Sequence, residues 1–241
     1  MLELKNISFK RDDKVILDNI TLKIDTETFI AITGPNGSGK STLAKIIMGI
    51  EKPDTGSIFL DGIDITKLDI NKRAELGIAF AFQQPVKFKG ITVYDILKLA
   101  SQKELSKKEA CEVLGSVGMC AEAYLNRDLN SSLSGGELKR IEIATVVLRN
   151  SKLTIFDEPE AGIDLWSFNS LIKVFSEIRK QVSGATIVIT HQERILNIAD
   201  KIVLLKDGKV DYYGNKDEII DKLYSSNPCP NMEGSCEYGC N

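Results

Sequence analysis

Gly34-Pro-Asn-Gly-Ser-Gly-Lys-Ser-Thr42 is the stretch on which the reading of this chain turns. It fits G-x-x-x-x-G-K-[ST], the phosphate-binding P-loop. Gly34, Pro35, Asn36, Gly37, Ser38 and Gly39 supply a loop whose glycines let successive backbone N–H groups converge on phosphate oxygens. Lys40 adds a point charge, Ser41 a hydroxyl for Mg²⁺, and Thr42 opens a helix whose N-terminus faces the anion. The flanks agree: Phe29-Ile-Ala-Ile-Thr33 is an apolar run suited to a buried strand, and Leu43-Ala-Lys-Ile-Ile-Met48 continues as a helix.

Outward from the loop the chain has the material of an ordinary globular protein, 241 residues with 43% hydrophobic and 27% charged side chains. A formal charge of −3 gives no reason to expect a nucleic-acid surface, which needs a basic excess. No apolar run is long enough to span a bilayer. The start, Met1-Leu-Glu-Leu-Lys-Asn6, lacks the basic and apolar regions of a secretion signal. The five cysteines, an odd number, suggest reduced thiols in a cytoplasm.

Before the P-loop, Leu2, Leu4, Ile7 and Phe9 alternate with one phase slip, the sign of a bulged strand. Lys10–Lys14 reads as a turn, and Ile20, Leu22 and Ile24 as a second, antiparallel strand. After it come a loop at 52–56, a strand at 57–60, a tight turn at Asp61-Gly62, and the buried parallel strand Ile78-Ala-Phe-Ala-Phe82. From about 84 to 150 the pattern is helical. Ser106-x-x-Glu109 and Ser134-x-x-Glu137 are capping boxes, the second opening a helix with Leu138, Ile141, Thr145 and Leu148 on one face. Strands resume at 153–156 and 186–190 around a helix at 165–182. A hairpin at 201–213 and a helix near 215–225 follow. A parallel-centred α/β core with an inserted helical lobe is expected.

Strand ends carry the remaining chemistry. Asp157 and Glu158 follow an apolar strand, where carboxylates face a nucleotide crevice. Asp157 suits Mg²⁺, and Glu158 suits the polarisation of an attacking water. His191, the single histidine, ends a third strand and is expected at the γ-phosphate.

Leu133-Ser-Gly-Gly-Glu-Leu-Lys-Arg140 resembles the signature motif of ATP-binding cassette (ABC) ATPases, and the other parts follow in that family's order: P-loop, Gln83 after a strand, signature, Asp157-Glu158, Asp164, His191. The resemblance covers residues 1–215. It implies an α/β P-loop NTPase core of the ABC type, with an antiparallel β subdomain and an inserted helical lobe at about 84–150. The ATPase domain would then span 1–225, with a separate tail at 226–241. It also implies Mg²⁺-dependent ATP hydrolysis in a head-to-tail homodimer. There Ser134, Gly135 and Gly136 of one chain meet the γ-phosphate held by the other, and Gln83 senses phosphate and metal. Lys40, Gln83, Glu158 and His191 are the expected catalytic set; Ser41, Gln83 and Asp157 are the expected Mg²⁺ set. A nucleotide-gated module that scarcely hydrolyses is the alternative of another class; the presence of Glu158, Lys40 and His191 argues for turnover.

Four stretches are similar to the ATPase of the Suf iron–sulfur cluster assembly system: Gly77–Val86, Ser134–Arg140, Glu160–Asp164 and Thr190–Leu196. That resemblance implies a soluble Suf-type scaffold as partner. Gln84, Pro85, Val86 and Phe88 follow Gln83 directly, and an aromatic between Lys87 and Lys89 would suit an interface, so the partner is expected to dock around residues 84–99, in the groove between the core and the helical lobe. Asp157-Glu-Pro159 and Thr92-Val-Tyr-Asp95 equally resemble the ATPase subunit of a membrane transporter, whose partners are transmembrane subunits. The aromatic residue that many cassettes place against adenine is absent; Arg11 stands there, leaving Arg11 or Val15-Ile16 to cover the base. The tail holds Cys229, Cys236 and Cys240, thiols that suit zinc or an iron–sulfur cluster, although a C-x₆-C-x₃-C spacing lacks the paired form of common zinc sites.

Overall fold

The computed structural model describes residues 1–84, 88–101, 103–130, 133–163, 165–181 and 184–219. β1 (Leu2–Arg11) and β2 (Lys14–Ile24) form an antiparallel hairpin. Asp12 and Asp13, at φ 48° and 61°, make a two-residue left-handed turn, so the strands pair to Arg11↔Lys14 and the turn is tighter than the five residues expected. The expected bulge lies at Asn6, φ 53°, where the register shifts between Leu4 and Ile7.

β3 (Phe29–Thr33) leads into α1 (Lys40–Met48). β4 (Thr55–Leu60), β5 (Ile63–Asp64) and α2 (Ile70–Glu75) precede β6 (Ile78–Ala81). Between β6 and the next strand lie α3 (Val93–Ser101), α4 (Lys107–Ser116), α5 (Ala121–Tyr124) and α6 (Gly135–Leu148). β7 (Leu153–Asp157), α7 (Leu165–Gln181), β8 (Ala185–Ile189), α8 (Glu193–Leu196), β9 (Lys201–Lys206) and β10 (Lys209–Asn215) complete the order. Residues 216–219 begin a helical turn; the rest of the helix expected to 225 lies outside the described residues.

Two sheets result, one in the order β2-β1-β4-β5 and one in the order β10-β9-β3-β8-β7-β6. In the second, β9, β3, β8, β7 and β6 run parallel and only β10 is antiparallel. Its strands are buried on both faces, which is why they read as unbroken apolar runs. Phe29 and Ala31 pack with Phe156, α7 and the helices after β6, while Ile30 and Ile32 pack with α1 and the antiparallel sheet. Both capping boxes form, at Ser106 and Ser134.

The apolar face expected on α6 is too narrow. Thr145 and Leu148 are only half-buried, whereas Lys139, Ile143, Ala144 and Val146 are buried with Leu138 and Ile141. α6 is wedged among β6, α3, α4 and α7 rather than lying on a surface. Among the described residues no helix is long and apolar enough to cross a membrane.

Candidate functional site

The loop between β3 and α1 curls through conformations that only glycine takes without strain. Gly34 has φ 141° and a Cβ there would stand 1.9 Å from Leu205 O; Gly39 has φ 99° and a Cβ would meet Leu17 Cδ2 at 2.5 Å. Any side chain at either place would open the loop. A cavity of about 490 Å³ sits over it, lined by Lys14, Ile16, Asn36, Gly37, Gly39, Lys40, Ser41, Thr42, Gln83 and Glu158.

Lys40 is buried and donates from Nζ to Gly34 O at 2.8 Å and Pro35 O at 3.0 Å. Burial pulls its ammonium below the usual lysine range, while Glu158 and Asp157 pull it back. Ser41 Oγ donates to Asp157 Oδ1 at 3.0 Å, joining the start of α1 to the end of β7 across 116 residues. Asp157 is buried, and its carboxyl is pushed above the ordinary range by burial, against the Ser41 bond. A hydroxyl beside a buried carboxylate is an oxygen donor set that fits Mg²⁺.

Gln83 Nε2 donates to Glu158 Oε2 at 2.6 Å, so the third expected metal residue is bonded to Glu158 rather than to the Ser41–Asp157 pair. Glu158 itself has φ 45°, and its N–H donates to Ile189 O at 3.0 Å. His191 follows β8 and is exposed overall. Burial of its ring and the charge of Lys40 hold the imidazole below its usual range, with Glu158 opposing. Both charges therefore act on it, although it is not among the residues lining the cavity. Lys40, Ser41, Gln83, Asp157, Glu158 and His191 converge from four separate loops.

Ser134, Gly135 and Gly136 do not join them. They cap α6, where Ser134 Oγ accepts from Glu137 N at 3.2 Å and the Glu137 carboxylate accepts from Ser134 N at 2.7 Å. None of the three lines the cavity. Asp164 and the tail cysteines Cys229, Cys236 and Cys240 lie outside the described residues. Among the described residues no group of three or more His, Cys, Asp or Glu could hold a metal.

Of the candidates for the base, Arg11 is turned away. Its guanidinium pairs with Glu51 at 2.5 Å and stacks on Phe9. Ile16 and Lys14 line the cavity instead, beside Gly39.

Three features escaped the sequence reading. Thr190 Oγ1 donates to Glu160 Oε1 at 2.5 Å and accepts from Gln192 N, tying the loop after β7 to the one after β8. Buried Arg73 donates to Ile46 O, Ile47 O, Thr66 O and Leu68 O, closing the C-terminal end of α1. Lys139 and Glu142 lie buried against Phe82. An i,i+3 pair of opposite charges inside an apolar helix pattern was the one signal available for the last.

The sequence model of the ABC transporter family matches residues 17–161. The chain belongs to that family. An uncharacterized ABC transporter ATP-binding protein of Methanocaldococcus jannaschii is 37% identical, over 91% of this chain and 90% of that protein. A probable ATP-dependent transporter of Synechocystis is also 37% identical, over 93% of this chain and 94% of that one. Among solved structures, a dimeric ATP-binding cassette in a post-hydrolysis state with ADP and phosphate is similar at TM-score 0.76 and 27% identity, covering 90% of this chain and 99% of that one. As an ABC cassette the chain binds and hydrolyses ATP, and the α/β P-loop architecture expected of it is the one observed.

Proposed function

We propose that this ATPase works as a head-to-tail dimer and drives a partner complex through closure on two nucleotides. The separation of Ser134-Gly135-Gly136 from the chain's own phosphate cavity carries the proposal. A serine, two bare backbone amides and the N-terminus of a 14-residue helix form an anion site that needs a phosphate from another chain. The dimeric solved relative supports the same assembly.

In this reading the P-loop amides and Lys40 hold the phosphates. Ser41, Asp157 and Gln83 hold Mg²⁺, which when bound neutralises phosphate charge. Glu158 takes the proton of the attacking water, and His191 contacts the γ-phosphate. The sequence divides at about residue 225; the tail cysteines serve a redox role or none, with zinc or an iron–sulfur cluster, completed by a fourth ligand from elsewhere, as the second reading.

The partner we favour is a Suf-type iron–sulfur scaffold, on the four stretches of sequence resemblance. A membrane transporter is the second reading, favoured by the transporter names of both relatives. Either would dock beside α3. There a cleft of about 300 Å³ is lined by Phe80, Ile96, Leu99 and Arg149, with Leu99 70% exposed, and Phe88 of the expected docking segment is 37% exposed. Pro85 and Val86, also expected at this surface, lie outside the described residues. Purification of the native complex decides between the partners: a soluble scaffold supports the first reading, and co-purifying integral membrane subunits replace it with the second.

A further inference from the structure

Two charged side chains are buried beneath the segment that leads to Gln83, and neither lines the phosphate cavity, although the Lys139 charge acts on Asp157. Lys139 and Glu142 stand one turn apart on α6, with side chains 1% and 13% exposed and Lys139 Nζ 3.0 Å from Glu142 Oε2. Burying such a pair costs desolvation that an apolar pair of similar size avoids, so its presence asks for a reason beyond stability. The reason is visible in what the two groups bond. Phe82 N–H donates to Glu142 Oε1 at 2.9 Å, and Lys139 Nζ donates to Phe82 O. One residue is thereby held at both of its backbone polar groups by one helix.

The next residue is Gln83, whose amide donates to Glu158 Oε2. The helix that grips Phe82 begins at the Ser134-Gly135-Gly136 cap. A continuous path therefore runs from the signature cap along α6, through two side chains to the Phe82 peptide, and on to the Gln83–Glu158 contact. Burial pushes the Glu142 carboxyl upward, and the Lys139 charge opposes it.

We propose that Lys139 and Glu142 form a positioning pair that fixes Gln83 against Glu158, so that a phosphate reaching the signature cap of a chain alters that chain's own hydrolytic site. The proposal rests on the roles given above to Gln83 and Glu158.

The test is steady-state ATPase kinetics on the full chain, with hydrogen exchange of the peptide covering 78–84. Lys139→Met should lower kcat about 10–100-fold with KM changed less than about twofold, the cost of misplacing a reacting group. Exchange at Phe82 should rise. Glu142→Gln, whose amide oxygen still accepts from Phe82 N–H, should keep most of the rate. Lys139→Met/Glu142→Leu, an apolar pair that folds without buried charge, should lose at least as much as Lys139→Met alone, and a return to the parental rate in it overturns the proposal. Combining Lys139→Met with Gln83→Ala should add little to either. Additive losses in that combination, or a folded Lys139→Met protein with parental kcat, overturn the proposal. Glu158→Gln turning over at the parental rate would instead discard the reading of the site on which it stands.

Discussion

The side-chain amide of Gln83 and the carboxylate of Glu158, 75 residues apart in sequence, meet at 2.6 Å. Glu158 reaches that position on a left-handed backbone, φ 45°, a conformation that costs a residue with a Cβ about 1–2 kcal/mol. Strain at one strand end thus presents a carboxylate to an amide from another. The contact fixes where the Glu158 carboxylate stands at the wall of the phosphate cavity.

Replacement Glu158→Gln removes the base and leaves the cavity shape. ATP turnover should fall about 10²–10⁴-fold while ATP affinity is kept. Isothermal titration beside a phosphate-release assay reads both, and parental turnover removes Glu158 from its role.

Base selectivity should be weak. The wall offered by Ile16 and Lys14 has no aromatic face and few groups to read the edge of a purine. A pocket without such hydrogen-bonding groups discriminates poorly, and kcat/KM for ATP and GTP should agree within about tenfold. Ile16→Tyr should tighten ATP about 2–10-fold through stacking. A preference for ATP of a thousandfold in the parent would contradict this.

Stability should carry a pH signature at Glu160. Burial raises its carboxyl above the ordinary range, with the Thr190 bond opposing. Between the unfolded value near 4.3 and the raised folded value the native state binds more protons than the unfolded, so this group's contribution falls as pH rises. Glu160→Gln keeps an acceptor for Thr190 and removes the titration. The variant's melting temperature relative to the parent should therefore be higher at pH 8 than at pH 5. A difference independent of pH counts against the assignment.

Arg73 should matter to folding rather than to chemistry. It is wholly buried and bonded to four carbonyls, two of them, Ile46 O at 2.6 Å and Ile47 O at 2.8 Å, at the negative end of the P-loop helix. Arg73→Met strands these acceptors, and chemical denaturation should show a loss of about 3–5 kcal/mol. A loss under 1 kcal/mol would mean that water replaces the guanidinium.

At the proposed docking cleft, Leu99→Asp should reduce recovery of the native partner about tenfold or more while ATPase of the isolated chain is unchanged. Phe88→Ala should act in the same direction. Unaltered recovery in both variants moves the docking surface elsewhere.

The parts legible in the sequence were those whose signal is local. The glycines of 34–39 announce their own turn, Asp157 and His191 announce themselves by ending apolar strands, and both capping boxes are spelled within four residues. What stayed hidden depends on backbone partners, which carry no letter. Arg73 bonds to carbonyls 26 and 27 residues away, and Glu142 to an N–H 60 residues away. Arg11 is held by Glu51, 40 residues on, a partner that its own stretch of sequence does not reveal. The buried face of α6 is wider than its periodicity for a related reason: periodicity describes a helix against one neighbour, and α6 has several.

β6 is the last strand of its sheet. Because Leu153 N donates to Gly77 O, alternation along β6 turns the N–H and C=O of Phe82 away from β7, toward the open margin. A margin with a free donor and acceptor is a template on which another extended chain can add itself. Glu142 and Lys139 take both groups and so cover that margin at Phe82. A chain stripped of these charges faces a second hazard besides slow turnover: strand-by-strand growth into aggregates.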